Sequence, residues 1–215
     1  MGAKTAERAT SLQPKATSEA SARDRLLAAA AELFYAEGVH VVGIDRIVER
    51  AGVAKASLYS NFGSKDELIR AYLEKHFRER QERIARILAT YKTPRERILG
   101  VFTEIENLLA RSEFRGCRFI GATAEARSGD ASEVVAEKYR AWLRSVFAEL
   151  AQAAGVRDAK QFGRQLALLY DGAAVAGRLD HDRAAAARAV RAAVVSLLDA
   201  EIPPQRKGRR VVRSS

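Results

Sequence analysis

The chain has 215 residues, of which 47% are hydrophobic and 30% charged, a balance typical of a globular protein with a substantial core. No apolar run is long enough to span a bilayer, and the first residues lack the apolar segment of a signal peptide. Cys117 is the only cysteine, which excludes an internal disulfide and fits a reducing compartment. We therefore expect a cytoplasmic protein without a membrane partner.

The net charge of +10 suits a nucleic-acid partner, but the basic side chains are unevenly distributed. Residues 21 to 67 carry six basic and seven acidic side chains, so this stretch is close to neutral. The surplus lies between Arg70 and Arg97 and in residues 203 to 215, which we expect to form a disordered basic tail. The overall charge is thus weak support for DNA binding and is expected to act mainly in steering and solubility.

The N-terminal part of the chain predicts a disordered arm followed by a helix. Residues 1 to 20 contain few large apolar side chains. Ser18 or Ser21 then offers an N-cap hydroxyl, and Gly38 predicts the end of the helix. The apolar stripe of this helix comprises Leu26, Leu27, Ala30, Leu33 and Phe34. The loop after it is expected to be closed by Val39, Val41 and Val42.

Residues 43 to 68 contain two short helical patterns separated by a tight turn. The first has one apolar face, formed by Ile44, Ile47, Val48 and Ala51. Gly52 follows at the position where a helix end favours a left-handed residue. The second pattern, about Ala54 to Tyr59, is too short to be stable alone, so Leu58 and Phe62 must anchor it. Its other face stays free for a partner, as a DNA-binding helix-turn-helix requires.

The segment from residue 51 to residue 68, AGVAKASLYSNFGSKDEL, resembles the DNA-reading signature of TetR-family transcriptional regulators. It departs from the family pattern at Ala54, where serine is usual, and at Ala56, where glycine is frequent. Asn61 stands where the family has an aromatic residue or histidine, and Gly43 where a capping threonine is common. The resemblance implies an all-α protein with an N-terminal three-helix DNA-binding domain and a C-terminal helical domain for ligand binding and dimerisation.

The candidate DNA contacts are Gly43, Lys55, Ala56, Ser57, Tyr59, Ser60, Asn61 and Lys65. Lys55 and Ser57 lie at the start of the second short helix, the end that faces base edges in this motif. Lysine suits the acceptors of guanine, whereas serine tolerates any base. The methyl group of Ala56 can meet a thymine methyl.

Phosphate contacts are expected from the remaining candidates. Tyr59, Ser60 and Asn61 carry hydrogen-bond donors suited to phosphate oxygens, which fix the register on DNA but not the sequence preference. Lys65 begins the next helix, where free backbone N–H groups also favour an anion. Ser64 precedes it as a capping residue.

Residues 21 to 66 are therefore predicted to form the DNA-binding domain, and residues 67 to 202 the effector-binding and dimerisation domain. Within the second region, we expect helices from about Lys65 to Ala89, from Thr93–Pro94 through Leu109, from the break at Phe114–Gly121 onward, from about Ser132 to Ala154, from the capping pair Asp158 and Gln161 onward, and from about Asp182 to Glu201. The small residues between Asp171 and Gly177 are expected to let two helices approach closely.

The candidate effector pocket comprises Phe102, Ile105, Cys117, Phe119, Tyr139, Trp142, Phe147 and Tyr170. Aromatic residues at helical spacing more often form core than ligand wall, and Tyr139 and Trp142 are favoured because each combines bulk with a polar tip. For Cys117, we expect a role in core packing and not in redox sensing, because no second cysteine is present. Asp171 lies in an apolar run, and we expect a buried acid with a partner across a dimer.

No cofactor, metal site or catalytic residue is predicted. His40, His76 and His181 are too scattered to ligate a metal together. No phosphate-binding glycine loop or nucleophile motif is present.

The last two helices each have more apolar surface than one face can bury. The family resemblance implies that they meet their copies across a two-fold axis, giving a homodimer. Two recognition helices would then lie one DNA turn apart, roughly 34–36 Å, and favour a palindromic operator. The main hypothesis is a ligand-responsive regulator, foremost a repressor. A helical enzyme with a non-reading head and a helical protein-interaction module remain as alternatives; the second predicts no salt-dependent DNA binding.

Overall fold

A computed structural model describes residues 20–124 and 126–202 of the chain, which form nine α-helices and no β-strand. The helices are α1 (Ala22–Glu37), α2 (Ile44–Ala51), α3 (Lys55–Phe62), α4 (Lys65–Thr90), α5 (Pro94–Leu109), α6 (Arg118–Thr123), α7 (Ala131–Ala153), α8 (Ala159–Leu179) and α9 (Arg183–Glu201). The all-α prediction is confirmed. The predicted N-terminal arm, but for its last residue, and the predicted basic tail lie outside the described residues.

Side-chain caps fix the start of five helices, whereas the long helix α7 begins without one. A side-chain oxygen accepts a hydrogen bond from the first turn of five helices, at Ser21, Ser64, Thr93, Asp158 and Asp182. Thr93 forms a full capping box, because the Glu96 carboxylate in turn accepts from the Thr93 backbone N–H at 3.0 Å. Neither α2 nor α3 has such a cap, so these two helices depend on tertiary packing.

Two predictions near α3 need correction. The helix begins at Lys55 and continues to Phe62, three residues beyond the predicted end, because Phe62 is buried and Gly63 ends the helix with a φ of 78°. Val41 does not close the loop after α1, since 72% of its surface is exposed. Val39 and Val42 are buried, three residues apart on the inner side of the turn, whereas Val41 lies on the outer side.

The first three helices pack on the N-terminal half of α4. Leu26, Ile47, Leu58 and Leu68 contribute one fully buried side chain from each of the four helices. Phe34 of α1 lies edge-on to Tyr72 of α4, with ring centroids 5.6 Å apart. We call α1, α2 and α3 with the connecting loops the head.

The second half of α4 packs against α5 and α7, and α8 and α9 complete this second helical group. Its centre is an aromatic cluster in which the rings of Phe102 and Phe147 stack at 5.6 Å and Tyr170 lies edge-on to Phe102 at 5.9 Å. None of the helices in the described part of the chain combines the length and the apolarity needed to cross a membrane. Because α4 is one uninterrupted helix that packs on both groups, it connects the head directly to the second group.

Candidate DNA interface and effector cavity

A glycine turn sets the angle between α2 and α3. Gly52 has φ 62° and ψ 43°, the left-handed conformation that residues with a Cβ rarely adopt. Its N–H is directed to the carbonyls of Val48 and Glu49, and the Val53 N–H donates to the Val48 carbonyl at 3.1 Å. The carbonyl groups at the end of α2 are thereby satisfied, and α3 starts in a fixed direction.

Helix α3 divides into a buried side and an exposed side. Leu58 and Phe62 anchor it to the head, with 0% and 9% of their surfaces exposed. The opposite side carries most of the predicted DNA contacts, and all but the half-buried Ser57 are exposed: Lys55, Ala56, Tyr59, Ser60 and Asn61. Tyr59 is a large aromatic side chain with 47% of its surface exposed. The fold thus brings the predicted DNA contacts of this helix together on one accessible face.

Lys55 is engaged in an ion pair that the sequence did not suggest. Its Nζ lies 2.7 Å from the Asp45 Oδ1 of α2, and both side chains are largely exposed. The hydrogen bond that Lys55 donates to Asp45, together with the negative charge of Asp45, raises the pKa of Lys55. Exposed ion pairs of this kind contribute little to the stability of the fold, so Lys55 can readily leave Asp45 for another partner. Asp45 was missed because only the tertiary fold places the first turn of α2 beside the start of α3.

Two of the predicted phosphate donors are used within α3 itself. The Ser60 hydroxyl donates to the Ser57 carbonyl at 3.2 Å, and the Asn61 amide donates to the same carbonyl at 2.7 Å. The Asn61 amide keeps a second N–H for another acceptor, whereas the Ser60 hydroxyl has only one proton. A phosphate contact from Ser60 therefore requires its hydroxyl to rotate.

The other two predicted contacts flank α3. Gly43 is exposed and is the N-cap of α2 in an extended conformation. It has no side chain to accept from the first N–H groups of that helix, so these groups are left for another acceptor. The Lys65 Nζ donates to the His40 carbonyl at 3.3 Å, and partial burial lowers the pKa of Lys65. Both residues therefore lie at helix N-termini beside the exposed face of α3.

Ion pairs between α2 and α1 neutralise two of the basic side chains of the head. Arg46 pairs with Glu37 across α2 and α1, and Arg50 pairs with Glu32 at 2.7 Å in the same way. These pairs tie α2 to α1 and leave few unpaired cations on the head. DNA binding would therefore depend on the shape and donors of α3 more than on a basic patch.

A second set of contacts joins the head to α6. The Tyr35 hydroxyl of α1 accepts a hydrogen bond from the Arg115 backbone N–H at 2.8 Å. The Arg118 guanidinium lies over the Tyr35 ring, 3.7 Å from its centroid. The His40 Nε2 lies 3.3 Å from the Ala122 carbonyl oxygen. A displacement of α6 would therefore act on the end of α1 and on the loop that carries His40.

Two of the cavities that border α6 are larger than a third one of about 120 Å³ beside Tyr35. One of about 310 Å³ separates the loop after α1 from α6 and α8. The other, of about 260 Å³, lies between α6, α7 and α8 and is lined by Cys117, Phe119, Ile120, Thr123, Ala136, Tyr139, Arg140 and Asp171. Three of the eight residues predicted for the effector pocket therefore line the second cavity: Cys117, Phe119 and Tyr139. We call this the α6–α8 cavity.

The other five predicted pocket residues lie elsewhere. Phe102, Phe147 and Tyr170 pack on one another in the aromatic cluster, and Ile105 is buried beside them with 2% exposure. Trp142 is half-buried against Phe77, with ring centroids 5.4 Å apart. Sequence periodicity places all of these residues on inward faces, but it does not show which inward faces meet another side chain and which meet a void.

Two further predictions concern the wall of the α6–α8 cavity. Asp171 was expected to find a partner across a dimer; within the single chain its Oδ2 already lies 2.9 Å from the Arg140 guanidinium, and a contact across the dimer stays a prediction. Burial raises the pKa of Asp171, and the charge of Arg140 opposes this shift. Burial also raises the pKa of the Cys117 thiol, which disfavours the reactive thiolate and supports a packing role.

The comparisons with known proteins agree with this geometry. The family model of bacterial regulatory proteins of the tetR family matches residues 26–72. A TetR-family transcriptional regulator of known structure from Streptomyces coelicolor is 33% identical, with a TM-score of 0.80 over 85% of this chain and 96% of that chain. The HTH-type transcriptional activator FasR of Mycolicibacterium smegmatis is 41% identical over 76 residues, 35% of each chain. The HTH-type transcriptional repressor KstR2 of the same organism is 34% identical over 83 residues, 39% of this chain and 40% of that protein. The chain thus spans less than half the length of each of these two curated relatives.

Proposed function

This chain belongs to the TetR family of bacterial transcriptional regulators, and from that premise we propose that it binds a palindromic operator as a homodimer and is released by a small molecule. The observation that carries the proposal is the exposed face of α3. That face is held by buried Leu58 and Phe62 across the Gly52 turn and presents donors along one accessible side. We assign residues 21 to 66 to DNA binding and residues 67 to 202 to effector binding and dimerisation.

The proposed contacts follow the position of each residue on the head. Lys55, Ala56 and Ser57 lie at the start of α3, where a recognition helix faces base edges. Tyr59, Ser60, Asn61, Lys65 and Gly43 are assigned to phosphates. A cytoplasmic location goes with this role, because the operator is there.

Exposed apolar surface on α8 supports the homodimer. Leu168, Val175 and Leu179 expose 59%, 38% and 71% of their surfaces, although each is a large apolar side chain. A groove of small residues beside Leu168 runs along α8 and α9 and includes Gly172 and Ala189. A second copy that packs its own α8 and α9 against this face would cover the surface and form the four-helix interface.

The contacts between α6 and the head support ligand control. A ligand in the α6–α8 cavity would displace α6, and the contacts of Tyr35 and His40 would transmit the movement to the head. Coupling of this kind is typically about 1–3 kcal/mol and is reciprocal between ligand and DNA. In the simplest use of this link, ligand binding releases the protein from its operator, so the protein represses transcription when the ligand is absent. The enzyme alternative finds no support among the relatives described above, each of which is named as a regulator.

The test is selection of duplexes from a random DNA pool by the purified protein, with the affinity of the selected duplexes measured at two salt concentrations. We expect a palindromic duplex whose affinity falls steeply with salt, because binding releases counterions from the contacted phosphates. A selected duplex without two-fold symmetry would contradict the dimeric arrangement. The absence of any enriched duplex, with or without added candidate effectors, would contradict DNA recognition and favour the protein-interaction alternative.

A further inference from the structure

Arg80 occupies an unusual position in the second helical group. Of the charged side chains in residues 20–124 and 126–202, only Arg80 is buried, with 9% of its surface exposed. It lies on the inner side of α4, where its Nη1 donates to the Tyr170 hydroxyl at 2.7 Å. Arginine stays protonated in proteins, so this side chain carries its charge into the core.

In the described residues, no carboxylate pairs directly with Arg80. Its buried Nε has no acceptor within the described part of the chain, and no carboxylate there lies within 4.0 Å of the guanidinium. Glu104, whose charge acts on Arg80, is paired with Arg83 at 2.9 Å. Asp171 is paired with Arg140 at 2.9 Å. A buried cation whose one hydrogen bond is to a neutral hydroxyl is costly, because that bond replaces only part of its lost hydration.

Two further arginines, Arg83 and Arg118, act on the same part of α4. His76 precedes Arg80 by one helical turn, and burial lowers the pKa of His76 to about 3, with the charges of Arg118, Arg80 and Arg83 adding to the effect. His76 therefore stays neutral at physiological pH, and only the arginines contribute charge. Arg83 is paired with Glu104, whereas neither Arg80 nor Arg118 has a carboxylate within 4.0 Å in the described residues, so the charge of these two arginines favours an anion.

The α6–α8 cavity lies close to the guanidinium. Burial raises the pKa of Cys117 and of Tyr139, two residues of the cavity wall, and the charge of Arg80 opposes both shifts. The geometry agrees: His76, one helical turn before Arg80, packs against Phe119 with ring centroids 5.7 Å apart. Tyr170, which accepts the hydrogen bond from Arg80, directly precedes Asp171. Phe119 and Asp171 both line the cavity, so Arg80 lies close to its wall. The cavity volume of about 260 Å³ falls below the roughly 300–1,000 Å³ of sites for drug-sized ligands, which indicates a small ligand.

We propose that the effector is a small monocarboxylate with an apolar or aromatic body, whose carboxylate pairs with Arg80 and whose body lies against Phe119 and Tyr139. One negative charge balances one unpaired guanidinium, and the planar fork of arginine matches a carboxylate. A phosphate monoester fits less well, because it carries nearly two negative charges. The inference rests on the proposed function, in which an effector occupies the α6–α8 cavity.

Binding should be visible in the fluorescence of the protein. Arg80 is not part of the cavity wall, so the proposal requires the wall to rearrange. We expect the Phe119 and Tyr139 rings, stacked 3.9 Å apart on that wall, to move. The Trp142 ring lies 6.1 Å from that of Tyr139. Trp142 is the only tryptophan of the chain, so its fluorescence reports on this site alone.

The experiment titrates the full-length protein with phenylacetate, 3-phenylpropionate and hexanoate, each beside its primary amide, and follows Trp142 fluorescence. We expect at least one acid to bind and its amide to bind far more weakly. Arg80→Met should weaken binding of that acid by roughly 10- to 150-fold, the usual value of a hydrogen bond to a charged group. Arg78→Met is the matched control, since Arg78 is an exposed arginine of the same helix, and it should leave the affinity unchanged.

A stability measurement separates this role from a structural one. Arg80→Met combined with Tyr170→Phe removes the buried charge together with the one hydrogen-bond partner that it has among the described residues. The double variant should melt no lower than the wild type. A lower melting temperature, or the absence of any acid that binds more tightly than its amide, would overturn the inference. If the wild type selects an operator in either case, DNA recognition stands and only the effector class is wrong.

Discussion

At the scale of single residues, the face of α3 combines a candidate base contact with an intramolecular partner. Lys55 and Asp45 form an exposed ion pair at 2.7 Å, on the same side as Tyr59. A phosphate or base that approaches Lys55 must compete with Asp45, and Asp45 itself repels the DNA backbone. The pair therefore tempers affinity at this position and demands a good acceptor on the DNA.

We predict that substitutions of Lys55 and Asp45 have opposite effects on the affinity for DNA. Lys55→Ala should weaken binding to a selected operator by roughly 5- to 150-fold and relax the preference at one base pair, as loss of a base contact does. Asp45→Asn should strengthen binding, since it frees the ammonium group and removes a negative charge. Fluorescence anisotropy with the operator and with single-base variants measures both effects. Equal affinities of Lys55→Ala and the wild type would show that α3 is not the reading helix.

His76 leads to a second prediction at this scale, which concerns acid stability. Burial and the neighbouring arginines lower the pKa of His76 from 6.5 to about 3, so the folded protein excludes a proton that the unfolded chain binds below pH 6.5. The stabilisation is complete above pH 6.5 and is lost as the pH falls from there toward 3. The wild type should therefore lose about 2 kcal/mol more than His76→Gln between pH 7 and pH 5. Urea unfolding at the two pH values measures this difference, and parallel losses would contradict the burial of a neutral imidazole.

At the scale of helices, the α7–α8 contact depends on one missing side chain. A Cβ built on Gly163 of α8 would lie 2.7 Å from the backbone nitrogen of Ala148 in α7 and 2.9 Å from its Cα. The small-residue run after Asp171 was expected to provide such a contact between helices. A Cβ on Gly172 in that run would meet nothing within 4 Å, whereas one on Gly177 would meet Leu109 and Phe114 side chains. The closest backbone approach on α8 is therefore one that composition alone did not single out.

Gly163→Ala should destabilise the protein by about 1–3 kcal/mol, the usual cost of overpacking, because backbone atoms cannot move aside as a flexible side chain can. Gly121→Ala is the matched control. A Cβ at Gly121, inside α6, meets nothing within 4 Å, so this change should be neutral or slightly stabilising. Denaturant midpoints of the two variants provide the comparison. A stable Gly163→Ala protein would mean that α7 and α8 lie farther apart than described.

At the scale of the whole molecule, the proposed activity depends on a second copy. One head offers one reading helix, and a palindromic operator needs two at a fixed separation. The exposed apolar side chains of α8, with Leu168 at 59% and Leu179 at 71%, are the surface on which that separation would be set. Loss of the dimer should therefore abolish tight operator binding even when each head is intact.

Leu168→Glu should produce monomers, because it places a charge in the centre of an apolar interface, and operator affinity should fall with it. Leu168 is exposed in the single chain, so the variant should keep its helix content. Gln152→Glu, on an exposed position of α7, controls for the added negative charge. Light scattering coupled to gel filtration measures the mass. A dimeric Leu168→Glu protein would place the interface elsewhere.

The sequence alone determined the helices and most of their ends. Caps such as Ser21, Thr93 and Asp158, together with Gly38 and Gly52, are local signals, because a helix terminus is satisfied by residues a few positions away. The helix-turn-helix was equally visible, since its apolar anchors and its turn lie within one short segment. Family membership followed from the same residues.

Only the tertiary structure decided which inward faces enclose space and which charges meet. Periodicity could not separate Tyr139, on the cavity wall, from Phe102, in the packed core, since both lie on buried helix faces. Nor could it foresee that Asp45 would face Lys55, that Asp171 would find Arg140, or that Arg80 would be buried without a carboxylate. The two ion pairs join different helices, and the environment of Arg80 is formed by several helices. The energy of each depends on distances and burial that exist only once the helices have packed.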